Sequence, residues 1–510
     1  MQHKQSHNLI SLKDISFETK PGFFLFKNLN LILGKEKSGL VGNNGIGKST
    51  ILKLIVGELE PSSGVVETKT KLAYLSQDYQ INLEITVEQT LGTEEEHKSL
   101  EVLAHMGLKN IQLKRLMSSL SGGERMRVVL AKLIIQQGNF LILDEPTNNL
   151  DQDAWQSVYE LIKQWKGGLL VVSHDRTLLN FMDKILELSD KGLGIYGGNF
   201  DFYVEQKNLE KEAAQRQLSE AEMEMKKTKK QAQATKERQQ KKSSHGKKTA
   251  DKLGLPKIIL GAMKRRAQQT SGKLKKTQED RIASAKGKLQ KAKERISPEN
   301  QIEVNLSNTE IPNGKLVAKF ENVNFTYDNG PVLLSQFNLS IYGPERLAIN
   351  GPNGSGKTTL VKLILGELQP LSGEVNLGIN RYAYLDQNVS VLNKSKTVLE
   401  NLKALSGLDE GQSRNWLARF LFPREDVFKK IEVLSGGERM RAALACILSG
   451  DAPPNLLVLD EPTNNLDLNS IERIESALLN FKGALIVISH DKSFLKNISI
   501  EKEITLEKQT

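Results

Sequence analysis

An eight-residue loop pattern that occurs twice constrains the fold of this chain more than any other feature of its sequence. The first copy is Gly42–Ser49 and the second is Gly351–Thr358, and both match G-x-x-x-x-G-K-[ST]. A loop of this kind surrounds phosphate groups with backbone N–H donors. Each copy follows a short apolar run and precedes a run with helical spacing, which predicts a strand–loop–helix unit. Two matches in equivalent contexts make a chance occurrence negligible.

The loop pattern assigns roles to its residues. Lys48 and Lys357 would reach the β- and γ-phosphates of a nucleotide, and Ser49 and Thr358 would bind Mg²⁺. The following helix adds free N–H donors and a dipole that favours anions. The predicted phosphate-binding residues are Gly42, Asn43, Asn44, Gly45, Gly47, Lys48, Ser49 and Thr50 in the first copy, and Gly351, Pro352, Asn353, Gly354, Ser355, Gly356, Lys357, Thr358 and Thr359 in the second.

Four further motifs follow each loop in the same order. They are a β-rich run ending on a glutamine, a Leu-Ser-Gly-Gly-Glu segment, an apolar run ending on Asp-Glu-Pro, and a second apolar run ending on Ser-His-Asp. Their candidate site residues are Gln77, Ser121, Gly122, Gly123, Asp144, Glu145 and His174 in the first half, and Gln387, Ser435, Gly436, Gly437, Asp460, Glu461 and His490 in the second. The order indicates a tandem duplication of an α/β domain.

The bulk composition restricts the class of protein. A chain of 510 residues has room for two or three domains. Its single cysteine, Cys446, lies in an apolar run and excludes an intramolecular disulfide, which suits a reducing cytoplasm. No apolar run approaches the ~20 residues that cross a bilayer, and the N-terminus resembles no signal peptide. We therefore expect a cytoplasmic protein without membrane segments. Because the chain ends shortly after His490, we also expect no C-terminal extension.

The net positive charge of the chain comes from one segment between the halves. Residues 205–300 contain 27 Lys and Arg against 12 Asp and Glu, a net charge of +15, whereas the whole chain carries +10. The remainder is therefore negative, by −5. Such a concentration of cations indicates a polyanionic partner, of which nucleic acid is the commonest.

The composition of this segment predicts two helices. Residues 205–242 are rich in Glu, Lys, Gln and Ala, which favour helix; Ser243–Gly246 is predicted to end the first helix. A second helix is predicted from about Ala262 to Arg295, with a tip near Lys247–Ile259 between the two. A disordered charged linker is the alternative. The predicted domains are residues 8–203, 204–308 and 315–510.

The combined motifs resemble the ABC-type ATPase domain. Two such domains on one chain, a charged helical linker and the segment Gly197–Tyr203 ahead of it resemble the ABC-F family. The resemblance implies an α/β fold with two tandem ABC-type P-loop ATPase domains joined by a long α-helical hairpin, and it implies ATP and Mg²⁺ as cofactors.

The residues at the strand ends suit phosphoryl transfer, which needs positioning and charge stabilisation. Asp144 and Asp460 would bind Mg²⁺ through its water shell, and Gln77 and Gln387 would sense the ion and the attacking water. Glu145 and Glu461 would orient and polarise that water. His174 and His490 would contact the γ-phosphate.

The resemblance also implies that the two halves of this chain pair with each other and that the protein is a monomer. One site would combine Lys48, Asp144 and Glu145 with Ser435–Gly437. The other would combine Lys357, Asp460 and Glu461 with Ser121–Gly123. Two ATP molecules would hold the halves closed, and hydrolysis would release them.

Three departures from the family pattern stand out. Tyr327 matches the aromatic residue that stacks on adenine, but its first-half counterpart is Thr19, for which Phe17 or Phe23 would have to substitute. Both copies have Asn-Asn-Leu-Asp after Asp-Glu-Pro-Thr, where the family more often has Asn-His-Leu-Asp, a difference expected to have little consequence. The interval between Gln77 and Ser121 is too short for the helical arm that some members insert there.

Three functions are compatible with these features. The first, which the resemblance favours, is a ribosome-associated ATPase whose linker reaches rRNA, tRNA and the peptidyl-transferase region, either in translation or in antibiotic protection. The second is a DNA-directed ATPase of the repair type, because charge alone does not separate DNA from RNA. The third is the energy subunit of a transporter, which leaves the basic linker without a role.

Overall fold

The computed structural model divides the chain into two compact units. One unit comprises Met1–Tyr203 together with Gln301–Thr510, and the other comprises Val204–Asn300. Both sequence halves therefore belong to one unit. The structure describes residues 9–77, 79, 81–93, 95–136, 138–147, 152–252, 257–295, 302, 304–327, 332–352, 354–450 and 452–507.

The first half contains two sheets. Its strands are β1 (Ile10–Lys20), β2 (Phe23–Leu33), β3 (Lys37–Gly42), β4 (Ser63–Thr68), β5 (Leu72–Leu75), β6 (Phe140–Asp144), β7 (Gly168–Val172), β8 (Lys184–Ser189) and β9 (Gly192–Gly197). An antiparallel sheet has the order β2-β1-β4, and a larger sheet has the order β5-β6-β7-β3-β8-β9. The larger sheet is parallel apart from the antiparallel pairing of β8 with β9.

In the described part of the first half, six α-helices accompany these strands. They are α1 (Lys48–Val56), α2 (Val87–Leu91), α3 (Glu96–His105), α4 (Gly122–Ile135), α5 (Gln152–Gln164) and α6 (Arg176–Leu179). Ser121 caps α4: its side chain accepts the backbone N–H of Glu124, whose carboxylate accepts the N–H of Ser121 in return. This capping box is a strong local signal for a helix start, and the predicted helix after Leu-Ser-Gly-Gly-Glu is confirmed.

Two long helices make up the described part of the second unit. They are α7 (Phe200–Lys252), whose residues up to Tyr203 still belong to the first unit, and α8 (Lys257–Arg295). Lys288 Nζ of α8 donates to Glu224 Oε1 of α7 at 3.0 Å, so the two helices lie side by side and run in opposite directions. Three buried alanines lie within one helical turn of this pair; they are Ala221, Ala285 and Ala292. Side chains three or four residues apart share one helix face, so the facing surfaces of the helices carry an alanine seam.

The predicted helix boundaries in this unit were wrong. The first helix does not end at Ser243–Gly246 but continues to Lys252, and the second begins at Lys257 rather than near Ala262. One glycine costs a helix only about 1 kcal/mol, and its Lys- and Gln-rich neighbours outweigh that cost. The predicted tip therefore belongs largely to the helices, and residues 253–256 lie outside the described residues.

The second half repeats the architecture of the first. Its strands are β10 (Leu316–Thr326), β11 (Val332–Tyr342), β12 (Arg346–Asn350), β13 (Ser372–Leu377), β14 (Tyr382–Leu385), β15 (Leu456–Asp460), β16 (Ala484–Ile488) and β17 (Lys502–Thr505), and its helices are α9 (Lys357–Ile364), α10 (Val398–Ser406), α11 (Glu410–Arg419), α12 (Gly436–Ile447), α13 (Leu468–Leu479) and α14 (Lys492–Asn497). The sheet orders are β11-β10-β13, antiparallel, and β14-β15-β16-β12-β17, parallel. The tandem α/β duplication is confirmed.

The parallel sheets position the functional residues. β6 and β7 are buried along their whole length, because helices or a second sheet cover both faces of such strands and only apolar runs are tolerated there. Parallel strands end at one edge of the sheet, where ligands of open α/β folds bind. Gln77 and His174 follow β5 and β7 at this edge, and Asp144 is the last residue of β6. The equivalent residues of the second half are Gln387, His490 and Asp460.

A buried ion pair joins the two halves. Arg176 of α6 donates from Nη1 to Glu475 Oε1 of α13 at 2.7 Å and from Nη2 to Oε2 at 3.3 Å. Asn497 Nδ2 donates to the same carboxylate at 3.0 Å. Burial raises the pKa of Glu475, and the hydrogen bonds and charge of Arg176 oppose that shift. A fork-shaped pair of this kind fixes the relative orientation of two surfaces as well as their distance.

None of the helices that the structure describes combines the length and the apolar character needed to cross a bilayer.

The alanine seam of the long hairpin makes its stability sensitive to helix propensity. Gly272 and Gly287 lie in the interior of α8, and a Cβ on either residue would meet no other atom within 4 Å. Replacing each glycine with alanine should therefore stabilise α8 by about 1 kcal/mol. Amide hydrogen exchange of α8 measures this gain. Ala283→Gly on the same helix is the matched control and should produce a loss of similar size; unchanged protection in all three variants would contradict the prediction.

Candidate active sites

The first phosphate loop joins β3 to α1, as its sequence predicts. Gly42 has φ +154° and Gly47 has φ +107°. A Cβ on Gly42 would collide with the carbonyl oxygen of Leu188, and one on Gly47 would lie 2.6 Å from Leu25 Cδ2. Glycine is therefore required at both positions by space as well as by backbone conformation.

Lys48 is buried within this loop. Its Nζ donates to the carbonyl oxygen of Gly42 at 2.7 Å and to that of Asn43 at 3.2 Å. Burial lowers the pKa of Lys48, and the nearby carboxylates of Glu145, Asp467 and Asp144 oppose that shift. The ammonium group thus bonds to carbonyl oxygens of the loop and lies near three carboxylates, and the phosphates of a nucleotide would add further negative partners.

Glu145 follows the buried Asp144 in a backbone conformation with φ +48°, and its N–H donates to the carbonyl oxygen of Val172 at 2.9 Å. This turn brings Glu145 Oε1 to 3.2 Å from His174 Nε2. Burial raises the pKa of Glu145 to about 8, although Lys48 opposes the shift. Burial, reinforced by the charge of Lys48, lowers the pKa of His174 to about 3. Burial therefore disfavours the charged form of both side chains.

A cavity of about 320 Å³ collects most of the residues predicted for the first site. Its described lining from the first half is Leu25, Asn44, Gly45, Gly47, Lys48, Ser49, Thr50, Gln77, Asp144, Glu145, Val172 and His174. Asn465 of the second half also lines it. The structure thus brings phosphate-loop residues, both carboxylates, the glutamine and the histidine to one place, as expected for residues at the carboxyl edge of one sheet.

The second half contributes more to this site than its motifs indicate. The backbone N–H of Asn44 donates to Asp467 Oδ2 at 2.9 Å, and Asn44 Nδ2 donates to the carbonyl oxygen of Asn465 at 3.0 Å. Asn469 Nδ2 donates to Asn43 Oδ1 at 2.7 Å. The motifs assigned no role to these residues. Asp467 also caps α13, where its Oδ1 accepts the N–H of Ser470 at 2.8 Å, so the only sequence signal for the contact was the polar character of the segment 464–469.

Ser435–Gly437 lie next to this contact without lining the described cavity. Ser435 begins α12 in a capping box with Glu438. A Cβ on Gly436 would lie 3.3 Å from the carbonyl oxygen of Asn465, so the start of α12 adjoins the segment that touches the first phosphate loop. The predicted pairing of Ser435–Gly437 with Lys48, Asp144 and Glu145 remains a prediction.

The second phosphate loop has the same local geometry. Lys357 Nζ donates to the carbonyl oxygens of Gly351 at 2.6 Å and Pro352 at 3.2 Å. Glu461 has φ +48°, and its Oε1 lies 3.6 Å from His490 Nε2. Burial raises the pKa of Glu461 to about 7, opposed by Lys357.

The remaining residues predicted for the second site have fewer described contacts with one another. Gly354, Ser355 and Gly356 complete the loop, with Gly356 capping α9, whereas Asn353 lies outside the described residues. Gln387 is exposed after β14. Ser121–Gly123 begin α4. The segment 148–151, which corresponds to 464–467, also lies outside the described residues, so its contacts are not described.

The oxygen atoms around Asp460 suit a magnesium ion. Thr358 Oγ1 donates to Asp460 Oδ2 at 3.1 Å, and the hydroxyl of Tyr384 donates to the same oxygen at 3.2 Å. Hydroxyl and carboxylate oxygens are the ligands that Mg²⁺ prefers. The equivalent pair in the first half, Ser49 and Asp144, faces one cavity.

The two halves differ at the position predicted to stack on adenine. Tyr327 is 47% exposed, and its hydroxyl lies 3.2 Å from Thr359 Oγ1. Thr19 instead donates to the carbonyl oxygen of Phe23 at 3.3 Å. Phe17 packs against Phe26, with ring centroids 6.2 Å apart, and Phe23 is 72% exposed. Of these two possible substitutes, only Phe23 has a largely accessible ring.

This difference predicts unequal adenine recognition. Stacking of a base on an aromatic ring contributes about 1–3 kcal/mol, so Tyr327→Ala should weaken ATP binding at the second site by about tenfold. Binding is measured in a Lys48→Ala background, which leaves the second site intact. Tyr327→Phe retains the ring and loses only the hydroxyl, so it should bind ATP almost normally.

The first site, measured in a Lys357→Ala background, should distinguish ATP from GTP less well than the second, because Thr19 offers no ring. Equal base preference at the two sites would contradict this expectation.

Comparison with known proteins agrees with the duplicated architecture. The family described as ABC transporter matches the chain twice, over residues 26–148 and 334–464. ATP-binding protein Uup of Buchnera aphidicola subsp. Acyrthosiphon pisum is 31% identical over 513 residues, which cover 96% of this chain and 78% of that protein. ABC transporter F family member 5 of Arabidopsis thaliana is 31% identical over 544 residues, which cover 96% of this chain and 71% of that protein.

Solved structures share the fold at lower identity. The archaeal ribosome recycling factor aABCE1, solved in complex with the ribosomal stalk protein aP1, has a TM-score of 0.61 and 19% identity, covering 96% of this chain and 86% of that one. The RNase-L Inhibitor has a TM-score of 0.60 and 20% identity, covering 96% and 87%.

The sequence relatives match nearly the whole of this chain and most of their own length, and the family model matches both halves. The chain therefore belongs to the ABC-F family, and it is an ATPase.

Proposed function

We propose that this ATPase binds two Mg²⁺–ATP molecules between its halves and uses their hydrolysis to act on the ribosome, with its basic hairpin directed toward tRNA and the peptidyl-transferase region. The observation that carries the ribosomal part is the charge of the hairpin segment, +15 over residues 205–300 in a chain of +10. The proposed binding of ATP between the two halves rests on the contacts of Asp467, Asn465 and Asn469 with the first phosphate loop.

Each catalytic role follows from position and charge. Lys48 and Lys357 neutralise the phosphates, and the bound Mg²⁺ supplies further positive charge to them. Glu145 and Glu461 orient the attacking water and polarise it from the turns that follow β6 and β15. His174 and His490 present an imidazole N–H donor to the γ-phosphate from positions just after β7 and β16.

Closure of the halves completes each site. Ser435–Gly437 and Ser121–Gly123 begin helices, and helix N-termini bind anions through free N–H groups. In the proposed cycle Ser435–Gly437 contact ATP held at Lys48, and Ser121–Gly123 contact ATP held at Lys357. Because both halves belong to one chain, a monomer suffices, and its mass in solution tests that statement.

The hairpin supplies the contact with nucleic acid. Four lysines of α7, namely Lys226, Lys227, Lys229 and Lys230, are exposed, whereas the alanine seam occupies the facing surfaces of the helices. Exposed cations arranged along a helix bind phosphates and release counterions. A ribosome with bound tRNA offers many phosphates to such a surface. It lies in the cytoplasm, where we also place this protein.

The first test of the proposal concerns catalysis. Replacing Glu145 and Glu461 together with glutamine keeps the side-chain size and removes the basic carboxylate. Hydrolysis should fall by about 10²–10⁴-fold, while ATP binding persists. Phosphate release and nucleotide binding measure the two effects. Turnover at the unaltered rate would exclude both residues from catalysis.

The second test concerns the hairpin. Lys226→Glu, Lys227→Glu and Lys230→Glu together should weaken ribosome association and reduce its logarithmic salt dependence by about 2–3, since each lysine at a phosphate accounts for about one unit. Lys20→Glu, Lys69→Glu and Lys109→Glu reverse three exposed lysines of the first half and serve as the matched control. Both triple variants should hydrolyse ATP normally.

The partner is identified by co-sedimentation of the doubly Glu→Gln protein with ribosomes, in the presence and absence of ATP. Equal amounts of bare duplex DNA provide the comparison. Retention on ribosomes that depends on ATP and on α7 supports the proposal. Retention on DNA alone would replace the ribosome with DNA as the target.

A further inference from the structure

One side chain, Trp155, contacts catalytic segments of both halves. It lies on α5 of the first half, and its Nε1 donates to the carbonyl oxygen of Thr147 at 2.7 Å. Thr147 belongs to the segment that continues from Asp144 and Glu145. The ring of Trp155 also meets the imidazole of His490 in the second half edge to face, with centroids 6.2 Å apart and planes at 62°. This geometry is one that aromatic pairs prefer.

Trp155 is itself held in place. Tyr159 lies one turn later on α5, with ring centroids 6.3 Å from Trp155. The hydroxyl of Tyr159 donates to the carboxylate of Asp175, which caps α6 directly after His174. The indole therefore has a hydrogen bond at one end and an aromatic neighbour at its side, both within the first half.

His490 depends on its surroundings for orientation. Its side chain is 8% exposed, and its Nε2 lies 3.6 Å from Glu461 Oε1. An imidazole that is to meet a γ-phosphate must be held in one rotation, because a small misplacement of a catalytic group costs much of its effect. The edge-to-face contact with Trp155 restricts that rotation.

The first site lacks an equivalent ring. The motif offset of 316 residues, which relates His174 to His490, relates Trp155 to Ile471. Ile471 is 2% exposed; its aliphatic side chain offers neither an aromatic face nor an N–H donor. The two duplicated sites therefore differ in the residue that the opposite half supplies.

We propose that Trp155 is a positioning residue for His490, so that hydrolysis at the second site depends on a side chain of the first half. The proposal rests on the role assigned to His490 under the proposed function. It assigns no contact between Trp155 and ATP. The expected consequence is a change in turnover at the second site without a matching change in ATP binding.

The test uses the full chain in a Lys48→Ala background, where turnover comes from the second site. Trp155→Ile introduces the residue of the equivalent position and should lower kcat by about fivefold or more while KM changes less than about twofold. Trp155→Phe retains an aromatic ring and should restore most of the lost kcat. Trp165→Phe is the matched control, because the N–H of Trp165 also donates to a backbone carbonyl, that of Gly168 at 3.0 Å within the first half; its kcat should be unchanged.

His490→Ala in the same background separates the two proposals. If His490→Ala leaves kcat unchanged, the role of His490 in the proposed function fails. If His490→Ala lowers kcat and Trp155→Ile does not, only the positioning role of Trp155 is overturned.

A spectroscopic measurement avoids replacing Trp155. The chain has three tryptophans, so Trp165→Phe with Trp416→Phe leaves Trp155 as the sole indole. Its emission should change when ATP binds, and His490→Ala should alter that change. An ATP response that is identical with and without the imidazole would overturn the inference, even if Trp155→Ile fails to fold.

Discussion

The buried ammonium group of Lys48 is the charge around which the first site is organised. A cation removed from water needs compensating partners, and here it has the carbonyl oxygens of Gly42 and Asn43 together with the charges of Glu145, Asp467 and Asp144. Asp467 comes from the second half. The contact between the halves therefore compensates charge at the phosphate loop, and a bound nucleotide would enter an environment that both halves have already set.

The interface between the duplicated halves is not symmetric. Tyr159 and Glu475 occupy equivalent positions in the two halves. The hydroxyl of Tyr159 donates to Asp175 in its own half, whereas the carboxylate of Glu475 accepts a hydrogen bond from Arg176 in the other half. Trp155 and Ile471 also occupy equivalent positions, but Trp155 brings an aromatic ring to His490 of the opposite half, whereas Ile471 has an aliphatic side chain. A duplication produces two equal surfaces, and each such substitution makes the two sites chemically different. The two sites also differ at the position predicted to stack on adenine, which is Thr19 in the first half and Tyr327 in the second.

The sequence predicts what depends on local pattern. Apolar runs predicted the buried β6 and β15, and Leu-Ser-Gly-Gly-Glu predicted the starts of α4 and α12, because both signals act within a few residues. The bond between Asn44 and Asp467 joins residues 423 apart and arises only when the halves dock. The boundaries of α7 and α8 were also missed, because tolerance of one glycine depends on the summed propensity of its neighbours rather than on the glycine alone.

The hairpin of α7 and α8 follows a different physical rule from the ATPase halves. Its described seam contains alanines, which bury little apolar area and so contribute little hydrophobic free energy. Its exposed surface concentrates lysines such as Lys226, Lys227 and Lys230, whose mutual repulsion opposes a compact hairpin. A polyanion that neutralises these charges would bind the folded hairpin in preference to the unfolded chain and thereby stabilise it. Under the proposed function, the composition that makes the hairpin a weak domain on its own would also make it responsive to nucleic acid.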